Sequence, residues 1–172
     1  MKLVRPSVYY KNEYFEYIEE VKKKNNEQKK IGYAMLNENE TFEDMLIRIE
    51  KMQDSSKLIG MMKPTSVFWI VNDNKIVGSM NLRESLNEFT YYTIGNVGYY
   101  IRPSFRNNGY ATESLRLAKE YYKSIKKDRI LLICTDDNIA SEKVILKNGG
   151  KFELEILSFD GIHKLKRYWI EL

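Results

Sequence analysis

The chain has 172 residues, 43% apolar and 30% charged, which is enough length and apolar content for one hydrophobic core. Nine glycines and three prolines exclude collagen-like and low-complexity chains, and apolar residues recurring along the whole length exclude a wholly disordered one. A single cysteine and a single histidine, Cys134 and His163, exclude an internal disulfide and a Cys/His zinc set, so no metal is expected.

Met1–Pro6 carries no apolar run of signal-peptide length, and the longest apolar runs, Val67–Val71 and Ile130–Cys134, are strand-sized. The expectation is a soluble cytoplasmic protein, one domain over residues 1–172, with no membrane partner. In chain order, Lys2–Arg5 reads as a short strand. Ser7 then precedes a helix whose apolar face is Tyr10, Tyr14, Tyr17, Ile18 and Val21. Asn25–Lys30 and Met61–Thr65 read as loops. Thr41-Phe42-Glu43-Asp44 is a capping-box start for a second helix bearing Phe42, Met45, Leu46, Ile49 and Met52.

Val67–Val71 and Ile76–Leu82 flank a polar turn and form a hairpin. Val97–Ile101 is a strand limited by Pro103, because proline cannot donate to a ladder. Leu115, Ala118, Tyr122 and Ile125 repeat at helical spacing, and Ile130–Cys134 follows as a buried strand, a pattern that predicts a right-handed strand–helix–strand crossover. Asn138 caps a helix ending at Gly149-Gly150, and Asp160-Gly161 turns the hairpin Phe152–Phe159 to Lys164–Ile170. The fold class is α/β, a central twisted mixed sheet of about six to seven strands with about four helices, antiparallel at both ends and parallel at the crossover.

The net charge is +4, which admits a nucleic acid, an anionic surface or a phosphorylated small molecule as partner. Between Arg102 and Arg129, eight basic residues stand against Glu113, Glu120 and Asp128, a local +5 that leaves −1 for the rest. Part of this excess, from Lys123 to Arg129, complements the carbonyl end of a helix dipole. The remainder draws attention to Ile101-Arg102-Pro103-Ser104-Phe105-Arg106-Asn107-Asn108-Gly109-Tyr110-Ala111, a basic connection that leaves a strand and opens directly into a helix. The first amides of a helix have no internal acceptor and lie at the positive dipole end, where a pyrophosphate binds. Gly109 lets phosphate oxygens approach the backbone. Neither G-x-x-x-x-G-K-[ST] nor G-x-G-x-x-G occurs, so triphosphate hydrolysis and dinucleotide binding recede. A plain strand–helix turn is the bland alternative for the loop.

Arg106-Asn107-Asn108-Gly109-Tyr110-Ala111 is similar to the Q/R-x-x-G-x-G/A signature of the GCN5-related N-acetyltransferases. Tyr99-Tyr100-Ile101-Arg102-Pro103 resembles that family's fourth strand, and Asn138-Ile139-Ala140-Ser141 with Lys147-Asn148-Gly149-Gly150 resembles its second cofactor segment. The similarity covers Val67–Phe159 in order. It implies an acetyl-CoA-dependent acyltransferase in which Tyr99, Tyr100 and Ile101 border the pantetheine arm, Arg106, Asn107, Asn108, Gly109, Tyr110 and Ala111 meet the pyrophosphate, and Asn138 and Ser141 contact the cofactor. Many members carry a tyrosine as general acid where this chain has Ile145. The ribosomal-protein acetyltransferases also lack it, and the Asn138/Ser141 spacing resembles theirs, which implies that Ser141 assists the departing thiolate.

Transfer to a primary amine of a small molecule or peptide, by direct attack in a ternary complex, needs a neutral nucleophile, a polarised carbonyl and a proton for sulfur. Glu84 is the first candidate base, Glu88 the second, and His163 the remaining titratable choice. A first-turn serine often only satisfies backbone donors, and that alternative stays open for Ser141. Cys134, within an apolar strand, is expected to be inert. The partners expected are acetyl-CoA and the amine, with no nucleic acid, and a homodimer is the oligomeric candidate. Two rival readings are a nucleic-acid-binding module using the basic excess, whose lysines are interleaved with acids, and a CoA-binding regulator without turnover.

Overall fold

The computed structural model describes residues 1–24, 28–54, 56, 58 and 63–172. The loops expected at Asn25–Lys30 and Met61–Thr65 lie partly outside the described residues, at 25–27 and 61–62. Seven strands run in the order β1 (Lys2–Val4), β2 (Thr65–Asn72), β3 (Lys75–Arg83), β4 (Val97–Ile101), β5 (Arg129–Thr135), β6 (Lys151–Leu157) and β7 (Lys164–Glu171). Between them stand α1 (Lys11–Lys22), α2 (Phe42–Lys51), α3 (Glu88–Thr93), α4 (Tyr110–Ser124) and α5 (Ile139–Lys147). None of the helices among the described residues is long and apolar enough to cross a membrane.

Local chemistry accounts for most of these boundaries. Asp73 and Asn74 both take positive φ, 46° and 60°, so the β2–β3 hairpin closes on a two-residue turn whose twist matches the strands. Thr41 and Asp44 form the reciprocal capping box that starts α2. Asn87 caps α3 in the same way through Thr90, and with α3 the described residues hold five α-helices. Tyr91 and Tyr92 therefore sit on that short helix. Two amides satisfied by a cap outweigh the poor intrinsic helix propensity of its Thr/Tyr-rich sequence.

The sheet divides. β1-β2-β3-β4 form one antiparallel sheet and β5-β7-β6 another. The expected parallel pairing across the crossover is not formed among the described residues; β4 and β5 instead meet in a few contacts at the start of β4, where the bridge is antiparallel. These are an isolated bridge between Gly95 and Leu132, the Asn96 amide donating to the Leu131 carbonyl at 2.7 Å, and the Leu131 amide donating to Asn96 Oδ1 at 2.8 Å. Gly95 makes this approach possible, because its φ is +73° and a Cβ there would lie 2.5 Å from the Leu131 carbonyl oxygen. Beyond this point no ladder joins β4 to β5 among the described residues.

Two apolar clusters cover the faces of the first sheet. Phe68, Ile70, Met80 and Leu82 pack with α4, α5 and the second sheet, while Val67, Trp69 and Val71 pack with α1, α2 and the 3-10 segment Gln28–Ala34. The alternation along β2 is the strand period of two, with both faces buried. Each such side chain contributes about 1.5–3 kcal/mol on burial.

Candidate active site

The edge of β4 is the site's spine. The Arg83 amide donates to the Asn96 carbonyl and the Arg102 amide to the Val77 carbonyl, with Asn81 opposite Gly98 and Ser79 opposite Tyr100. By the alternation of an antiparallel ladder, the main-chain groups of Tyr99 and Ile101 point to the other edge, where β5 has diverged. Arg106 Nε donates to the Ile101 carbonyl there, at 3.1 Å, and its guanidinium lies 5.2 Å from the Tyr100 ring centre. Tyr100 itself is buried among α1 and its neighbours on the opposite face, so its side chain does not line the cleft.

After β4, a 3-10 turn at Pro103–Phe105 leads into the loop, with Asn107 and Gly109 at φ of 65° and 80°. Asn108 Nδ2 donates to the Arg106 carbonyl at 3.0 Å, which holds the loop in shape. Within this stretch the Arg106 amide donates to Pro103 and the Glu113 amide to Gly109. Among the described residues, the amides of Asn108, Gly109, Tyr110, Ala111 and Thr112 have no backbone acceptor. No atom lies within 4 Å of where a Gly109 Cβ would stand. A run of unsatisfied donors at a helix start facing open space fits a pyrophosphate.

Arg102, counted in the basic excess, is committed elsewhere. It is 9% exposed and pairs with Glu13 at 2.7 Å and Glu20 at 2.6 Å. Glu20 also accepts from the Ser104 amide and hydroxyl, so α1 anchors the loop. Burial acts to raise the Glu20 pKa, but the bonds from Arg102 and Ser104 outweigh it and hold the carboxyl below its ordinary value. Lys127 donates to the Glu84 carbonyl and Arg116 to Glu113. Much of the charge read from the sequence is thus spent within the fold.

On the far side of the cleft, Asn138 Oδ1 accepts from the Ser141 amide at 3.1 Å and caps α5. Ser141 Oγ lies 2.9 Å from the Tyr99 hydroxyl, which joins β4 to α5 across the gap between the sheets. Burial pushes the Tyr99 phenol up to about 12, against the opposing effect of the Ser141 bond. It is therefore a neutral donor or acceptor at physiological pH. Cys134 is also pushed up, to about 11, by burial and then by Glu142, which keeps its thiol protonated. Glu142 accepts from Tyr168 and pairs with Lys166 at 3.0 Å.

The structure brings Tyr99, Asn138 and Ser141 together and places the Arg106–Ala111 loop at the end of the same β4 edge. It does not bring Glu84 to them. Glu84 has no hydrogen bond to them and accepts instead from Tyr121 at 2.8 Å. Glu88 is exposed at the start of α3, and His163 is exposed in the β6–β7 turn. Sequence reasoning missed the Tyr99–Ser141 contact and the Arg102–Glu20 anchor, since neither pair has any local spacing. Among the described residues, no cluster of His, Cys, Asp or Glu is arranged to hold a metal.

A family model described as an acetyltransferase (GNAT) domain matches residues 4–151. An uncharacterized N-acetyltransferase of Bacillus subtilis (strain 168), YnaD, is 29% identical over 83 residues, 48% of this chain and 46% of that protein, so the match spans less than half the relative's length. Among solved structures, the microcin C7 self-immunity acetyltransferase MccE, in complex with acetyl-CoA and AMP, superposes with a TM-score of 0.66 at 20% identity, covering 99% of this chain and 91% of that one. The Salmonella typhimurium acetyltransferase that modifies the N-terminal serine of ribosomal protein L7/L12 superposes with a TM-score of 0.68 at 16% identity, covering 99% and 94%. At these identities the two structures establish the fold.

Proposed function

The chain belongs to the acetyltransferase (GNAT) domain family, and from that premise we propose that it transfers an acetyl group from acetyl-CoA to a primary amine. The observation that carries this reading is the set of unpaired amides at the start of α4, lying at the end of an unpaired β4 edge. The loop amides and Arg106 hold the pyrophosphate, and the Tyr99 and Ile101 main chain borders the pantetheine arm. Bound there, acetyl-CoA supplies a thioester carbonyl to be attacked.

A β4 amide polarises that carbonyl as negative charge develops on its oxygen. The neutral amine attacks, the new C–N bond forms as the C–S bond breaks, and sulfur takes a proton. Ser141 relays it: its hydroxyl proton passes to sulfur, the proton released from the acetylated nitrogen returns to the serine through water, and the buried, neutral Tyr99 hydroxyl 2.9 Å away orients the serine. Glu84, whose carboxylate accepts from Tyr121, is the candidate base, and the amine enters from the face under α1. The enzyme works in the cytoplasm, and the exposed edge strand β6 is the surface a homodimer would use.

Thermal unfolding with and without acetyl-CoA tests the cofactor site, since a ligand that binds only the folded state raises its stability. Thiol release with a panel of amines then separates the transferase from a CoA-binding regulator without turnover. Absence of any stabilisation by millimolar acetyl-CoA would refute both.

A further inference from the structure

Under α1 and the 3-10 segment, β3 presents a polar row of Ser79, Asn81 and Arg83. Ser79 is matched by the Tyr17 hydroxyl at 3.3 Å. The other two are not matched. Asn81 is 8% exposed and its Oδ1 has no hydrogen-bond partner. Arg83 is 6% exposed. Among the described residues its side chain makes one hydrogen bond, from Nη1 to the Gly95 carbonyl at 3.4 Å, and no carboxylate pairs with it.

The contrast with the other buried arginines is direct. Arg102 is paired with Glu13 and Glu20, and Arg167 with Glu153 at 2.8 Å. Where this fold buries a guanidinium for structure, it supplies a carboxylate. Arginine does not shed its proton in a protein, so Arg83 keeps a charge that costs free energy to bury without a counter-charge.

Arg83 borders a space over Gly98, whereas Asn81 Oδ1 is fully enclosed. Gly98 stands opposite Asn81 on β4 and is half-buried. A Cβ at Gly98 would have a single neighbour within 4 Å, Arg83 Nη1 at 3.9 Å. The Gly32 Cβ position lies 3.1 Å from Asn81 Nδ2, and Tyr33 lies within electrostatic range of Arg83. The next residue after Gly98 is Tyr99, whose main chain faces the cleft.

We propose that this space holds the carboxylate of the acceptor, so that the amine acetylated here is an amino-carboxylate whose carboxylate pairs with Arg83. The inference rests on the acetyltransferase reading and narrows its substrate class. A planar guanidinium fork matches a carboxylate in two bonds. A polyamine or plain alkylammonium would instead meet an uncompensated like charge.

The test uses the full chain and pairs of amines that differ by one carboxylate, namely tyrosine and tyramine, histidine and histamine, ornithine and putrescine. Thiol release and acceptor binding are both measured, after acetyl-CoA stabilisation has been checked. The expected result is a preference of at least about tenfold in kcat/KM for carboxylated members. Arg83→Met lowers that value by about tenfold to a hundredfold, the range for a charged hydrogen bond, while decarboxylated amines, relieved of the like charge, are used as well as before or better. Arg83→Lys recovers part of the loss. Because the charge is unmatched in the free protein, Arg83→Met leaves the melting temperature unchanged or raises it, which a structural arginine would not do.

Decarboxylated amines used equally well or better would overturn the inference. So would neither turnover nor binding of any carboxylated member by a protein that acetyl-CoA stabilises, or an Arg83→Met variant that melts lower and loses both members of a pair alike. Failure of acetyl-CoA to stabilise the protein would remove the transferase reading, and the inference with it. Should Arg83→Met not fold, Arg83→Gln and the wild-type panel give the same comparison.

Discussion

A phenol and a serine hydroxyl 2.9 Å apart, on strands and helices separated by 42 residues of chain, make the contact across the cleft that bears on proton transfer. Replacing Ser141 by alanine removes the proposed proton donor, and kcat should fall about a hundredfold, the lower range of general-acid effects, with acetyl-CoA affinity unchanged. Steady-state kinetics and calorimetry check the two halves of that statement. Burial holds the Tyr99 pKa at about 12 in the folded protein against an ordinary 10.0. Between these values the unfolded chain loses a proton that the folded one keeps, so stability falls as pH rises through this window. Chemical denaturation of Tyr99→Phe from pH 9 to pH 12 should show a shallower decline than the wild type. These two residues were each singled out in the sequence, but their pairing was not, because no spacing rule connects a strand tyrosine to a helix serine after an intervening crossover.

At the level of elements, the two glycines around β4 have different tasks. Gly95 brings β4 against β5, and its Cβ would sit 2.5 Å from the Leu131 carbonyl oxygen. Gly95→Ala should therefore destabilise the fold by about 2–4 kcal/mol, combining a left-handed backbone with a clash, as measured by urea unfolding. Gly109 is also left-handed, at φ +80°, yet its Cβ position is empty. Gly109→Ala should cost about 1–2 kcal/mol of stability while weakening acetyl-CoA binding at least tenfold, because the new methyl occupies the space in front of the loop amides. The second glycine was visible in the sequence, since a helix start is set by neighbouring residues. The first was not, as its partner lies on another strand.

Over the whole molecule, the cleft exists because two sheets meet at one end and part along β4. The loop that faces this cleft is fastened from outside by Glu20 of α1, which bonds Arg102 across 82 residues of chain. The Glu20 pKa is held below its ordinary 4.5 by Arg102 and Ser104 despite the opposing effect of burial. A depressed carboxyl stabilises above the unfolded value and loses that contribution as pH falls through the folded one. Urea midpoints between pH 7 and pH 3 should decline below about pH 4.5, and Glu20→Gln should flatten that decline while loosening acetyl-CoA binding at neutral pH.

Hairpin turns, helix caps and the loop that opens α4 were legible in the chain because each is decided by residues within four or five positions of one another: Asp73-Asn74, Thr41 with Asp44, Asn138 with Ser141, and Arg106 to Ala111. The family followed from the order of such local signals. Only the folded arrangement decided that β4 and β5 separate, that Arg102 and Lys127 are committed to internal partners, that Glu84 bonds Tyr121, and that Arg83 is buried with no carboxylate paired to it among the described residues. Each of these is a meeting of distant segments. Whether a charge is satisfied, or an edge paired, depends on which segment arrives beside it, and neighbouring residues carry no record of that.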